Sequence, residues 1–169
     1  MSDIVTDIEK IKRGWIGGLP ETPCGHGSTL AATQAQREWI PKIIRKYRIK
    51  TIADVGAGDL NWFYKMTLPK SVKVLHSDIY PRRPEVATLD LLTETPPAVD
   101  MILCLWVLNH FDIPACRRAI DNLKASDAKY LMMTDRPIWH REQPPEIQME
   151  YVEELKLNDK GDRILLCPL

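Results

Sequence analysis

This sequence carries no surplus of either charge, since Lys plus Arg and Asp plus Glu both number 23. Salt-sensitive binding to nucleic acid needs clustered Lys and Arg, so the balance argues against DNA or RNA as a partner, and the short pair Arg82-Arg83 is too little to reverse that. Cysteine is sparse and scattered: Cys24, Cys104, Cys116 and Cys167 form no Cys-x-x-Cys and keep no paired spacing with His26, His76, His110 or His140. That pattern excludes a disulfide framework and a structural zinc site and leaves ordinary buried thiols, so no metal is expected. No apolar run nears the roughly 18 residues of a membrane span. Met1-Ser2-Asp3-Ile4 also lacks the basic-then-apolar start of a signal peptide, so the expectation is no membrane contact and a cytoplasmic location. Internal repeats and low-complexity tracts are absent. A chain of 169 residues with 44% hydrophobic content supports one core and not two, so a single domain over 1–169 is expected, with 1–27 as lead-in and loop.

The most informative segment is Thr51-Ile52-Ala53-Asp54-Val55-Gly56-Ala57-Gly58-Asp59, an apolar strand running straight into Gly-x-Gly. Gly56 and Gly58 let the backbone turn sharply off the strand and approach a ligand, with amides at the start of the helix expected next pointing outward. A dinucleotide-binding loop would carry a third glycine, where Asn61 stands here. Asp54 adds a carboxylate at the strand end, which disfavours a pyrophosphate and suits a ligand with a cationic group.

The rest of the chain follows an alternating strand and helix pattern that predicts a mostly parallel sheet covered on both faces. Ser28 or Thr29 is expected to cap a helix with Leu30, Ala35, Trp39, Ile43 and Tyr47 on its apolar side, kinked or restarted at Pro41. Strands are expected at Thr51–Val55, Val72–His76, Glu85–Thr88, Met101–Leu105 and Tyr130–Thr134. A helix capped by Asp112, with Pro114 in its first turn, would bury Cys116, Ala119, Ile120 and Leu123. Tyr151–Leu157 and Arg163–Cys167 flank Asn158-Asp159-Lys160-Gly161 and read as a terminal hairpin, giving seven strands in all. Between Asp78 and Asp90 the prolines Pro81 and Pro84 and the short length leave no room for a full crossover helix. Ile4 to Ile11 is expected to form a short helix.

Asp54-Val55-Gly56-Ala57-Gly58-Asp59 resembles the first motif of class I S-adenosylmethionine (SAM)-dependent methyltransferases, and other segments follow in the matching order. The resemblance implies a Rossmann-like α/β sheet with a C-terminal antiparallel hairpin. It also implies that Asp78 holds the ribose hydroxyls, that Asp90 and Leu91 contact the adenine, and that Asp100-Met101-Ile102-Leu103-Cys104 forms the strand beneath the reacting methyl. The implied cofactor set is Asp54, Gly56, Ala57, Gly58, Asp78, Asp90, Leu91, Cys104, Leu105 and Trp106. More narrowly, Gly27-Ser28-Thr29, Gly58-Asp59-Leu60-Asn61-Trp62, Ile102-Leu103-Cys104, His110 and Lys129-Tyr130-Leu131 resemble small bacterial methyltransferase-like proteins, many associated with glycan biosynthesis. That match runs from about Gly25 to the C-terminus and departs at Leu105 and Trp106, where the group carries an Arg-Asp pair.

For chemistry, His110 past the fourth strand is the leading proton acceptor, since imidazole titrates near neutrality, and Asp135 after the fifth strand is its understudy. Trp106 either covers the methyl donor or stacks on a flat acceptor, against a plain core role. Trp62 reads as core before cleft. Arg136 can bind an anionic group of a substrate, Trp139-His140 lie beyond it, and Arg37 and His26 are placed to reach the cofactor's carboxylate. The leading expectation is SAM-dependent methyl transfer to a small-molecule or saccharide-type acceptor. The alternatives are nucleic-acid methylation, opposed by Leu103-Cys104-Leu105-Trp106 where amino-methylating DNA enzymes carry an Asp/Asn-Pro-Pro-aromatic run, and a SAM-binding module without transferase activity.

Overall fold

The computed structural model describes residues 19–135 and 149–169. Its seven strands are β1 (Thr51–Val55), β2 (Lys73–Asp78), β3 (Val86–Thr88), β4 (Met101–Cys104), β5 (Tyr130–Asp135), β6 (Glu153–Lys156) and β7 (Arg163–Pro168). They form one sheet in the order β3-β2-β1-β4-β5-β7-β6. The first five are parallel, while β7 runs antiparallel to both β5 and β6. The chain therefore reverses direction across the sheet between β1 and β4, where open α/β sheets leave a crevice at the strands' carboxyl ends. The expected mostly parallel sheet with a terminal antiparallel hairpin is observed, and β7 inserts between β5 and β6.

Helices α1 (Gln34–Lys46) and α2 (Ile113–Lys124) cover opposite faces. Side chains alternate along each strand. Ile52, Met101, Leu103, Met132 and Ile164 therefore join Ile40, Ile43 and Ile44 of α1, whereas Ala53, Ile102, Cys104, Leu131 and Leu165 join Cys116, Ala119, Ile120 and Leu123 of α2. α2 starts as its sequence predicts: the Asp112 side chain accepts a hydrogen bond from the Ala115 amide at 2.8 Å, and Pro114 sits in the first turn. α1 differs from expectation. It begins at Gln34, after a turn in which Thr29 Oγ1 accepts from the Ala32 amide, and it runs through Pro41 without a restart. Its inner face is Ile40, Ile43 and Ile44, with Ala35 outside. At its C-terminal end Lys46 pairs with Glu153, and the Tyr47 hydroxyl donates to the same carboxylate at 2.8 Å, docking α1 on β6.

The crossovers on the β2–β3 side are thin. Residues 79–85 contain no helix, in line with the prolines there. The segment after the glycine loop, expected to be helical, holds only a single 3₁₀ turn, Phe63–Lys65. The break has a local cause: Leu60 adopts φ of 61°, which no continuous α-helix from the glycine loop can contain. The expected helix at Ile4 to Ile11 lies outside the described residues.

Candidate functional site

At the carboxyl end of β1 the backbone turns with Gly56 at φ 78° and Gly58 at φ 62°. Both positions need glycine. A Cβ on Gly56 would sit 2.2 Å from Val107 Cγ2, and one on Gly58 would sit 2.9 Å from Cys24 Sγ. The amides of Gly56 and Ala57 both donate to the Ser77 carbonyl, at 2.8 and 3.0 Å, which ties the loop to β2. Asp78, the last residue of β2, completes the tie: its Oδ2 accepts from the Gly58 amide at 2.8 Å and its Oδ1 from the Tyr80 amide at 2.8 Å. A carboxylate is thus fixed beside the glycine loop.

A cavity of about 850 Å³ opens here, above the carboxyl ends of the strands. Of the sequence-derived candidates, Gly56, Gly58, Asp78, Asp90, Leu91, Leu105, Trp106 and His110 line it, and so does His26. Asp90 opens the turn after β3, its Oδ1 accepting from the Leu92 amide at 2.9 Å. Leu91 is buried, its carbonyl held by Asn122 Nδ2 of α2 at 2.8 Å. Trp106 stands at φ 60°, with its amide donating to Thr134 Oγ1 at 3.0 Å and its ring beside Gly27. Left-handed backbone at a tryptophan is strained, and such strain clusters at functional positions. His110 ends the 3₁₀ turn Leu108–His110 that follows β4.

Other candidates lie elsewhere. Asp54 is 5% exposed, and its Oδ2 lies 2.9 Å from His76 Nδ1. Burial pushes its carboxyl above the usual range, with the His76 contact opposing. Ala57 packs in the core on the α1 side and Cys104 in the core on the α2 side, where burial raises the thiol far above its ordinary range. Asp135 is 2% exposed and ion-paired with Arg163 Nε at 2.6 Å, a buried carboxylate built into the β5–β7 seam. Arg37 donates to the Leu30 carbonyl at 2.8 Å and does not line the cavity. Trp62 packs against the α1-side core, tilted on Phe63 at 5.7 Å. Arg136, Trp139 and His140 lie outside the described residues. Among the described residues no cluster of His, Cys, Asp and Glu has metal-binding geometry, and no helix is long and apolar enough to cross a membrane.

Several groups escaped the sequence reading. Asn61, at the third-glycine position, donates through Nδ2 to Glu21 Oε1 at 2.7 Å and to the Ser28 carbonyl at 3.0 Å, pinning the 19–33 loop over the glycine loop. Glu21 also accepts from the Leu30 amide, and these bonds hold its carboxyl below the usual range. Asn109, Phe111 and the β6–β7 turn residues Asn158 and Asp162 line the far end of the cavity. The signal for the turn was present as Asn158-Asp159-Lys160-Gly161, but only strand order reveals that it reaches the crevice.

The chain has the class I methyltransferase fold. Its backbone superposes on solved structures over most of its length. The N-methyltransferase NodS from Bradyrhizobium japonicum WM9, in complex with S-adenosyl-L-homocysteine (SAH), is 13% identical and superposes with a TM-score of 0.67, covering 99% of this chain and 98% of that one. Magnesium protoporphyrin IX methyltransferase (ChlM) from Synechocystis PCC 6803, with bound SAM, is 14% identical with a TM-score of 0.63, covering 99% and 97%. The pyocyanin biosynthetic protein PhzM is 16% identical with a TM-score of 0.62, and this chain, matched over 82% of itself, spans 56% of PhzM. No protein-family model and no curated protein matches the sequence.

Proposed function

We propose that this protein is a SAM-dependent methyltransferase acting on a small-molecule or saccharide-type acceptor, with 1–169 as one cofactor-binding unit. The observation that carries the reading is Asp78 held at 2.8 Å from the Gly58 amide at the mouth of a cavity that needs glycine at Gly56 and Gly58. A carboxylate at the end of β2 suits hydrogen bonds from two adjacent ribose hydroxyls. Asp90 and Leu91, across the same cavity, supply a polar and an apolar contact suited to a purine edge. The Trp106 ring favours a nearby cation such as a sulfonium. NodS and ChlM, which share the fold, carry SAH and SAM in their structures.

Held by Asp78, Asp90 and Leu91, SAM would supply an electrophilic sulfonium methyl and a neutral thioether as its leaving group. This chain's own task is alignment and proton removal. His110 is the candidate base for a hydroxyl acceptor, because it lines the cavity just past β4. Asp135 serves that role less well, since its carboxylate is bound to Arg163 within the sheet. Transfer of a labelled methyl from SAM to fractions of small metabolites, glycans and nucleic acids tests the reading. Label in the small-molecule or glycan fraction supports it, and label confined to nucleic acid or absent throughout overturns it.

A further inference from the structure

The chain leaving β4 breaks the side-chain alternation of the strand. Cys104 packs in the α2-side core and Leu105 in the α1-side core, so an extended residue 106 would return to the α2 side. Trp106 packs instead against the α1-side core, and Val107 takes the α2 side. The cause is the left-handed backbone of Trp106, at φ 60°. This one turn sets two neighbouring walls of the cavity. A Cβ on Gly27 would sit 3.9 Å from Cγ and Cδ2 of the Trp106 ring, and one on Gly56 would sit 2.2 Å from Val107 Cγ2. All four residues line the cavity.

Left-handed backbone is unfavourable for a bulky residue, so it persists only where its surroundings hold it. The parallel ladder between β4 and β5 ends at Cys104 and Met133, two residues short of Trp106. A side chain takes over from there: the Trp106 amide donates to Thr134 Oγ1 at 3.0 Å. Thr134 is 7% exposed, and its pairing with Ile164 of β7 fixes it on the part of β5 that outruns β4. Ile164 lies in the α1-side core, so the Thr134 side chain stands on the side that Trp106 takes. Thr134 itself does not line the cavity.

Resting on the methyl-transfer reading, we infer that Thr134 is a positioning residue for the cofactor, acting through Trp106. Its hydroxyl holds residue 106 left-handed, which keeps the indole beside Gly27 and Val107 against the glycine loop. Without that acceptor the Trp106 backbone relaxes toward the extended region, the wall is displaced in most molecules, and only the remaining fraction binds the cofactor.

Calorimetric titration with SAH tests this. Thr134→Val, which removes the acceptor and keeps the branched shape, should weaken SAH binding by about tenfold, the order of one lost hydrogen bond to a buried group. Thr134→Ser keeps the acceptor and should bind SAH as the unmodified protein does. Glycine adopts the left-handed region without help, so adding Thr134→Val to a Trp106→Gly variant should change SAH affinity by no more than about twofold. Thr134→Ala, which lacks the same acceptor, replaces Thr134→Val in both arms if urea unfolding shows the latter unfolded at the titration temperature. Undiminished SAH binding without the acceptor overturns the inference. So does an equal loss with Trp106 and with glycine at 106, which would mark a role in the sheet alone, or a Thr134→Ser variant as weak as Thr134→Val. Failure of the unmodified protein to bind SAH overturns the methyl-transfer reading instead, so the two failures are told apart.

Discussion

On β4 four successive residues, Met101 to Cys104, are buried, whereas on β2 burial alternates and Leu75, in mid-strand, is 55% exposed. Leu75 pairs with Ala53, so it lies on the α2 face, yet the core under α2 draws on β1, β4, β5 and β7 and not on β2, and residues 79–85 supply no helix to cover β2. The sheet thus has a thick half and a thin half. The thick half carries Trp106, Asn109 and His110 on the segment leaving β4, while the thin half carries Asp78 and Asp90. The group proposed to take the proton sits on the 3₁₀ turn after β4, and the groups proposed for the ribose and adenine sit on tight loops held by their own hydrogen bonds.

The largest expected effect separates these roles. His110→Ala should lower turnover by roughly two to four orders of magnitude, the usual range for a general base, with SAM affinity nearly unchanged. Single-turnover methyl transfer combined with SAM titration checks it, and loss of SAM binding would instead make His110 part of the cofactor site. Next, Leu131→Ala in the thick half should destabilise by about 2–5 kcal/mol, because Leu131 is fully buried between β4, β7 and α2. Urea unfolding measures this.

At the opposite end of the strands Asp100 joins β1, β4 and β5, accepting from the Lys50 and Thr51 amides at 2.9 and 3.0 Å, from Thr51 Oγ1 at 3.1 Å and from Lys129 Nζ at 2.6 Å. Asp100→Ala should cost about 1–3 kcal/mol. The Lys129 ammonium and these amides hold the Asp100 carboxyl well below the usual carboxylate range. Unfolded, it titrates near about 4. The unfolded chain therefore binds the proton first on acidification, and this stabilisation is complete at neutral pH and shrinks as pH falls below about 5. Unfolding free energies at pH 7 and at pH 3 should differ less in Asp100→Asn than in the unmodified protein. The smallest effect belongs to Leu75→Ser in the thin half, expected within about 0.5 kcal/mol. A loss comparable to that of Leu131→Ala would show that something covers this face in solution.

The contrast between the halves also marks what the sequence made legible. β4 reads as a continuous apolar run and α2 is punctuated by Asp112 and Pro114, so both were placed closely, with β4 ending at Cys104 rather than Leu105. The missing helix between β2 and β3 followed from Pro81 and Pro84. The shortened segment after the glycine loop did not, because nothing in Asp59-Leu60-Asn61 announces a leucine at φ 61°. At the site, the glycine loop, Asp78 and His110 were found by their order along the chain. Asp135 and Asp54 are defined instead by partners distant in sequence, Arg163 and His76, which no local pattern reveals. Thr134 carries no signal beyond its place at the end of β5, and its bond to the Trp106 amide exists only in the folded chain.

The central claim is that the crevice above β1, β2 and β4 binds SAM through Asp78, and calorimetric titration with SAH tests it most directly. The account predicts one site per chain, weakened by about 1–3 kcal/mol in Asp78→Ala. Absence of SAH and SAM binding, with NAD or ATP bound in their place, would contradict it.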